Sequence, residues 1–121
     1  MARILIVDDS PTQLATLSRL LQKHEHEIIT AVDGVQGVEV AEQEMPDLIL
    51  MDVVMPHLNG FQATRKITTN DKTSHIPVIL VTTKDQETDR VWGARQGAKG
   101  YVTKPANESE LITAVNDLLP H

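Results

Sequence analysis

The sequence predicts an α/β fold: a doubly wound parallel sheet of (βα)5 form. Three observations carry this reading. Ile4–Val7, Leu48–Met51 and Val78–Val81 are continuously apolar, as strands covered on both faces must be. Between such runs lie longer stretches with apolar residues three and four apart, the period of an amphipathic helix. The two patterns alternate along the chain. Strand–helix–strand units of this kind give parallel neighbours through right-handed crossovers, with helices on both faces.

The elements follow in order. Ile4–Val7 is the first strand. Ser10-Pro11 supplies an N-cap and a first helical residue, and Leu14, Leu17, Leu20 and Leu21 form the inward stripe of the helix that follows. Ile28-Ile29 is a weaker strand, expected at a sheet edge. Asp33-Gly34 turns the chain into a second helix, along which Val35, Val38 and Ala41 lie. Leu48–Met51 is the third strand, and Met55–Gly60 is a loop in which Asn59-Gly60 starts the next helix. That helix carries Phe61, Ala63, Thr64 and Ile67. Pro77 introduces the fourth strand, Val78–Val81. Glu87–Arg95 is helical, with Gly97 and Gly100 at its exit. Tyr101-Val102 is a short fifth strand, and Leu111, Ile112, Val115, Leu118 and Leu119 mark the last helix.

A chain of 121 residues and 13.4 kDa has the length of one domain, so residues 1–121 are expected to form a single unit with no output domain. The absence of cysteine excludes a disulfide scaffold, a thiolate metal site and a thiol nucleophile. A net charge of −6 argues against nucleic acid or an anionic membrane as partner. The apolar runs are far too short to span a bilayer, and Asp8-Asp9 would interrupt a secretory leader, so a cytoplasmic location is expected. With a single Phe, Trp and Tyr, the core must be aliphatic.

In an open α/β sheet, ligands bind beyond the carboxyl ends of the strands. Asp8-Asp9 follow the first strand, Asp52 the third, Thr82-Thr83 the fourth, and Thr103-Lys104-Pro105 the fifth. Three carboxylates converging on a small volume repel one another unless one is protonated or a cation joins them. Carboxylates without His or Cys partners suit a hard cation, and Mg²⁺ suits a site with few protein ligands. With a lysine and a hydroxyl beside it, such a cluster is suited to phosphoryl transfer. The nucleophile would be a carboxylate, giving an aspartyl phosphate.

These residues resemble the receiver domains of two-component response regulators over the whole chain. The matching positions are Asp8-Asp9, Asp52 within Met51-Asp52-Val53-Val54-Met55-Pro56, Gly60, Thr82 and Lys104-Pro105. The resemblance implies a flavodoxin-like sheet of order 2-1-3-4-5, which chemotaxis receivers share. It implies that Asp52 accepts a phosphoryl group from a histidine kinase, that Asp9, Asp52 and the Val54 backbone carbonyl hold Mg²⁺, and that Asp8 assists through water. It also implies a cis Lys104-Pro105 bond, and a switch in which the Thr82 hydroxyl moves toward the phosphoryl group while Tyr101 rotates into the vacated space. The segments Leu58–Arg65 and Thr82–Ala98 are similar to a stand-alone, chemotaxis-regulator-like receiver group that governs type IV pilus twitching motility through a chemosensory pathway. A monomer that engages a chemosensory kinase and a downstream protein is implied, with no enzymatic turnover beyond self-phosphorylation and autodephosphorylation. Val54, Thr83 and Lys84 depart from the familiar chemotaxis pattern. Val54 stands where a polar side chain can position water, which predicts slower hydrolysis of the acyl phosphate.

Other readings stay open at this point. A phosphate sink for a shared kinase, or an unswitched scaffold, would use the same residues. A small aspartate-nucleophile phosphatase of the haloacid dehalogenase kind needs an acid where Val54 stands. A flavodoxin-like electron carrier would place a flavin phosphate against Asp8 and Asp9. His24 and His26 are read as a solvated turn, and His57, His75 and His121 as exposed. Arg65, Lys66, Arg90 and Arg95 are read as solvated helix faces. Trp92 fits either the core or a partner-facing surface.

Overall fold

The computed structural model describes residues 1–119, so His121 lies outside the described residues. Five strands and five helices alternate: β1 Arg3–Val7, α1 Pro11–Lys23, β2 Glu27–Ala31, α2 Gly34–Glu44, β3 Leu48–Met51, α3 Gly60–Thr69, β4 Val78–Thr82, α4 Glu87–Arg95, β5 Gly100–Thr103 and α5 Glu108–Leu118. The strands form one parallel sheet in the order β2-β1-β3-β4-β5. The expected (βα)5 architecture and strand order are both present. β2 is an edge strand with exposed positions, whereas β3 and β4 are buried throughout, which is why their sequences are apolar without interruption.

Successive residues of a strand point to opposite faces, and the core divides accordingly. Leu5, Val7, Ile49, Met51, Val78 and Leu80 face one layer, with Ala41, Ala63 and Ile67 of α2 and α3. Ile4, Ile6, Leu48, Leu50, Ile79 and Val81 face the other, with Leu17 and Leu21 of α1 and Leu111 and Val115 of α5. The register aligns Val7 with Met51, and β4 continues through Leu80 to Thr82 beside Thr103. The carboxyl ends of β1, β3, β4 and β5 therefore open onto the same end of the sheet.

The helix starts are set by local chemistry. The side chains of Ser10, Asp33 and Asn107 accept hydrogen bonds from the N–H groups of Gln13, Gln36 and Glu110. Asn59 and Gln62 form a reciprocal capping box at α3, with bonds of 2.9 and 3.0 Å. Each such cap contributes about 1 kcal/mol.

Helix α2 forms where the sequence places it, with an inner face of small residues. Val35 is exposed, and the inward face is built from Gly34, Gly37 and Ala41. A Cβ at Gly37 would lie 2.9 Å from both methyls of Val7, so the helix sits on β1 only because that position lacks one. Among the described residues no helix is long and apolar enough to cross a membrane.

Candidate functional site

The site is built from loops that leave the strand ends. Asp8 directly follows β1 and is 2% exposed. Its Oδ1 accepts a hydrogen bond from Ser10 N–H at 2.9 Å, so the residue that caps α1 also orients the buried carboxylate. Asp9, next in the chain, is exposed. Asp52 directly follows β3, is 8% exposed, and its Oδ1 accepts from Val53 N–H at 2.8 Å. One carboxylate oxygen from each of Asp8, Asp9 and Asp52 lies within 4.8 Å of the others. The three acids read from the strand ends are thus a single cluster.

Lys104 reaches this cluster from the loop after β5. Its Nζ donates to Asp8 Oδ2 at 2.7 Å and stands 3.5 Å from Asp52 Oδ1. The Lys104-Pro105 peptide bond is cis. Burial holds the Asp52 carboxyl above its ordinary value. Lys104 opposes that rise, and Asp8 adds to it. One ammonium therefore faces two buried carboxylates and an exposed third, leaving negative charge that a hard cation would compensate. The donor set is all oxygen, which fits Mg²⁺.

Thr82 ends β4 and is fully buried. Its Oγ1 accepts from Lys84 N–H at 3.3 Å. The carbonyl of the same Lys84 accepts from the Tyr101 hydroxyl at 2.7 Å. The backbone of one residue thus joins the two positions expected to move together. Tyr101 is partly buried, and burial, with Asp89 nearby, holds its phenol above the ordinary value, so it remains a donor. Arg90 lies 4.9 Å above the Tyr101 ring and donates to Thr103 Oγ1 at 3.0 Å. Arg90 lies on an exposed helix face, as the sequence reading has it, and it also braces Tyr101. Neither Arg90 nor the Lys84 backbone carries a motif that would have marked it.

The loop between β3 and α3 is fixed by Gly60, whose N–H donates to the Val53 carbonyl at 2.9 Å. A Cβ at Gly60 would lie 2.0 Å from the Asp52 carbonyl oxygen, so this close approach requires glycine. Val54, two residues after Asp52, is 57% exposed. Of the set-aside histidines, His57 and His75 are exposed, and His26 is partly buried, its Nδ1 accepting from Ala2 N–H at 3.4 Å.

Comparison with known proteins agrees with this geometry. Residues 4–116 match the response regulator receiver domain. The chain is 60% identical over 119 residues to protein PilH of Pseudomonas aeruginosa, covering 98% of both chains. Its fold is similar to that of the chemotaxis protein CheY4 of Vibrio cholerae, with a TM-score of 0.92, 30% identity, and coverage of 98% and 99%. It is also similar to the receiver domain of the sensor histidine kinase PA1611 of P. aeruginosa, with a TM-score of 0.89, 30% identity, and coverage of 97% and 96%. That domain has a magnesium ion coordinated in its active-site cleft. The order of the strands, the acids gathered at their ends and a match running nearly the length of the chain place it in the response regulator receiver domain family.

Proposed function

We propose that the chain is a phosphorylation-switched receiver in which Asp52 accepts a phosphoryl group from the phosphohistidine of a chemosensory kinase. The observation that carries this reading is the buried Asp52 carboxylate beside Lys104, with Asp8 and Asp9 close enough to share a cation. Receiver domains as a family are signalling domains phosphorylated by histidine kinases.

In the transfer, an Asp52 oxygen forms a P–O bond as the P–N bond to the donor imidazole breaks, and the imidazole leaves with the electron pair and takes up a proton. Asp52 must be ionised to attack. Lys104 favours that state against the burial that opposes it. Asp9, Asp52 and the Val54 backbone carbonyl would hold Mg²⁺, with Asp8 assisting through water. When bound, the ion neutralises charge on the transferred group. Lys104 offsets charge on the same group, and the Thr82 hydroxyl donates to one of its oxygens. That movement would take Thr82 Oγ1 away from Lys84 N–H and so loosen the segment whose carbonyl holds Tyr101. A charge change at Asp52 is thereby read on the face formed by α4, β5 and α5.

The high identity to PilH over both full lengths supports two finer readings. Residues 1–121 act as one receiver unit, monomeric and cytoplasmic. The pathway is the chemosensory control of type IV pilus twitching motility, with the signal passed to a downstream protein. A phosphate sink for a shared kinase would use the same chemistry without a switched partner.

The test is the intact mass of wild type and Asp52→Ala after incubation with acetyl phosphate, with and without Mg²⁺. One phosphoryl mass added to the wild type alone, and only with metal, is the expected result. If neither that addition nor capture of beryllofluoride is seen, the acceptor role is wrong.

A further inference from the structure

Helix α4 meets the sheet through its smallest residue. Gly93 is its single buried position, and a Cβ there would lie 2.6 Å from Leu80 Cδ1 and 3.6 Å from Phe61 Cε1. Seating the helix on a glycine turns its larger apolar side chains outward: Val91 is 47% exposed and Trp92 50% exposed. This settles the alternative left open by the sequence, because Trp92 is not core. Trp92 forms the wall between two surface grooves. One, of about 430 Å³, runs between α3 and α4 past Leu58, Phe61, Arg65, Lys66 and Gln96. The other, of about 470 Å³, lies along α4 past Val91 and Arg95. A third pocket continues from Arg65 and Arg95 to Lys99.

The charge of this face is opposite to that of the molecule. The chain carries −6 overall, yet Arg65, Lys66, Arg95 and Lys99 gather here. None of the four is in a salt bridge among the described residues. The one carboxylate lining either Trp92 groove is Glu87, at the far end of α4. Exposed aromatic surface rimmed by unpaired cations is the usual composition of a docking site, where Trp and Arg supply most of the binding energy.

We propose that the α3–α4 face, centred on Trp92, docks an acidic segment of another protein, with an apolar side chain of that segment seated against the indole. Charge complementarity selects this occupant. A second copy packed symmetrically on this face would set one cluster of cations against an identical cluster. The face shares helix α4 with the α4–β5–α5 surface assigned above to the switch but is centred on the opposite, α3 side of that helix, and docking there needs no phosphoryl group.

The test is selection of displayed random peptides on the unphosphorylated protein, followed by titration of the selected peptides. Trp92 is the single tryptophan of the chain, so its emission reports the site directly. Enriched sequences should be acidic with one large apolar residue. They should shift the emission to the blue, and bind about tenfold or more weaker to Trp92→Ser and to Arg65→Glu. Enrichment of neutral or basic sequences, binding unaffected by Trp92→Ser, or no enrichment at all would overturn the proposal. So would a wild-type dimer in sedimentation that Trp92→Ser dissolves. Phosphorylation of Trp92→Ser measured by intact mass separates the two readings, because its loss would point to a misfolded variant rather than to docking.

Discussion

Replacing Lys104 with methionine should uncover the conflict stored in the acid cluster. The methionine keeps the volume and removes the ammonium. At an effective dielectric of ~20, a unit charge pair at the 2.7 Å separation from Asp8 is worth about 6 kcal/mol, and one at the 3.5 Å separation from Asp52 about 5 kcal/mol. Most of this gross attraction is offset, because the variant no longer desolvates an ammonium. Breaking one partner out of a buried ion pair typically leaves a net loss of about 3–5 kcal/mol. The loss should depend on pH. Burial already raises Asp52, and the removed lysine was the main influence lowering it, so Asp52 rises further in the variant. A carboxyl raised in the folded state contributes stability that is present in acid and lost as pH rises through the folded value. The deficit should therefore be largest near pH ~8 and should shrink by about half or more toward pH ~4.5. Urea unfolding of both proteins at the two pH values, in chelator, measures this directly. A deficit below about 1 kcal/mol at the higher pH, or an equal deficit at both, would refute the electrostatic account of the site.

Three further outcomes follow from the geometry. Val54→Asn should shorten the lifetime of the Asp52 phosphate, because the exposed side chain two residues after the acceptor would gain a group that orients attacking water; an unchanged decay by phosphate release would remove Val54 from the reaction. Tyr101→Ala should accept the phosphoryl group as wild type does while weakening the downstream response in a motility assay, and a full response would separate Tyr101 from the switch. Thr64→Val should stabilise the fold by about 1 kcal/mol in urea, because the buried Thr64 hydroxyl has no hydrogen-bond partner among the described residues and the isosteric methyl requires none. A loss of stability there would mean that the hydroxyl is paired.

Much of this site was legible because a parallel sheet turns sequence position into spatial position. The polar residues that follow the apolar runs lie at the same end of the molecule, so the sequence alone brings Asp8, Asp52, Thr82 and Lys104 together. What stayed hidden was carried by groups without apolar side chains. Hydrophobic periodicity cannot register Gly37 against Val7 or Gly93 against Leu80, so it does not reveal the glycine seat of α2 or decide which way Trp92 faces. The Lys84 bridge is made of backbone, and Arg90 stacks on Tyr101 and reaches Thr103, 13 residues along the chain, contacts that no spacing rule encodes.

The main-chain bridge at Lys84 has an implication for how such a domain can diversify. The link from Thr82 to Tyr101 runs through an N–H and a carbonyl that nearly every amino acid possesses. The exposed side chain at that position is free to become longer, shorter or oppositely charged without cutting the link, and proline alone removes the donor. Tuning and transmission are thus assigned to different atoms of one residue, so variants can explore new kinetic settings at that position while the wiring beneath them is inherited intact.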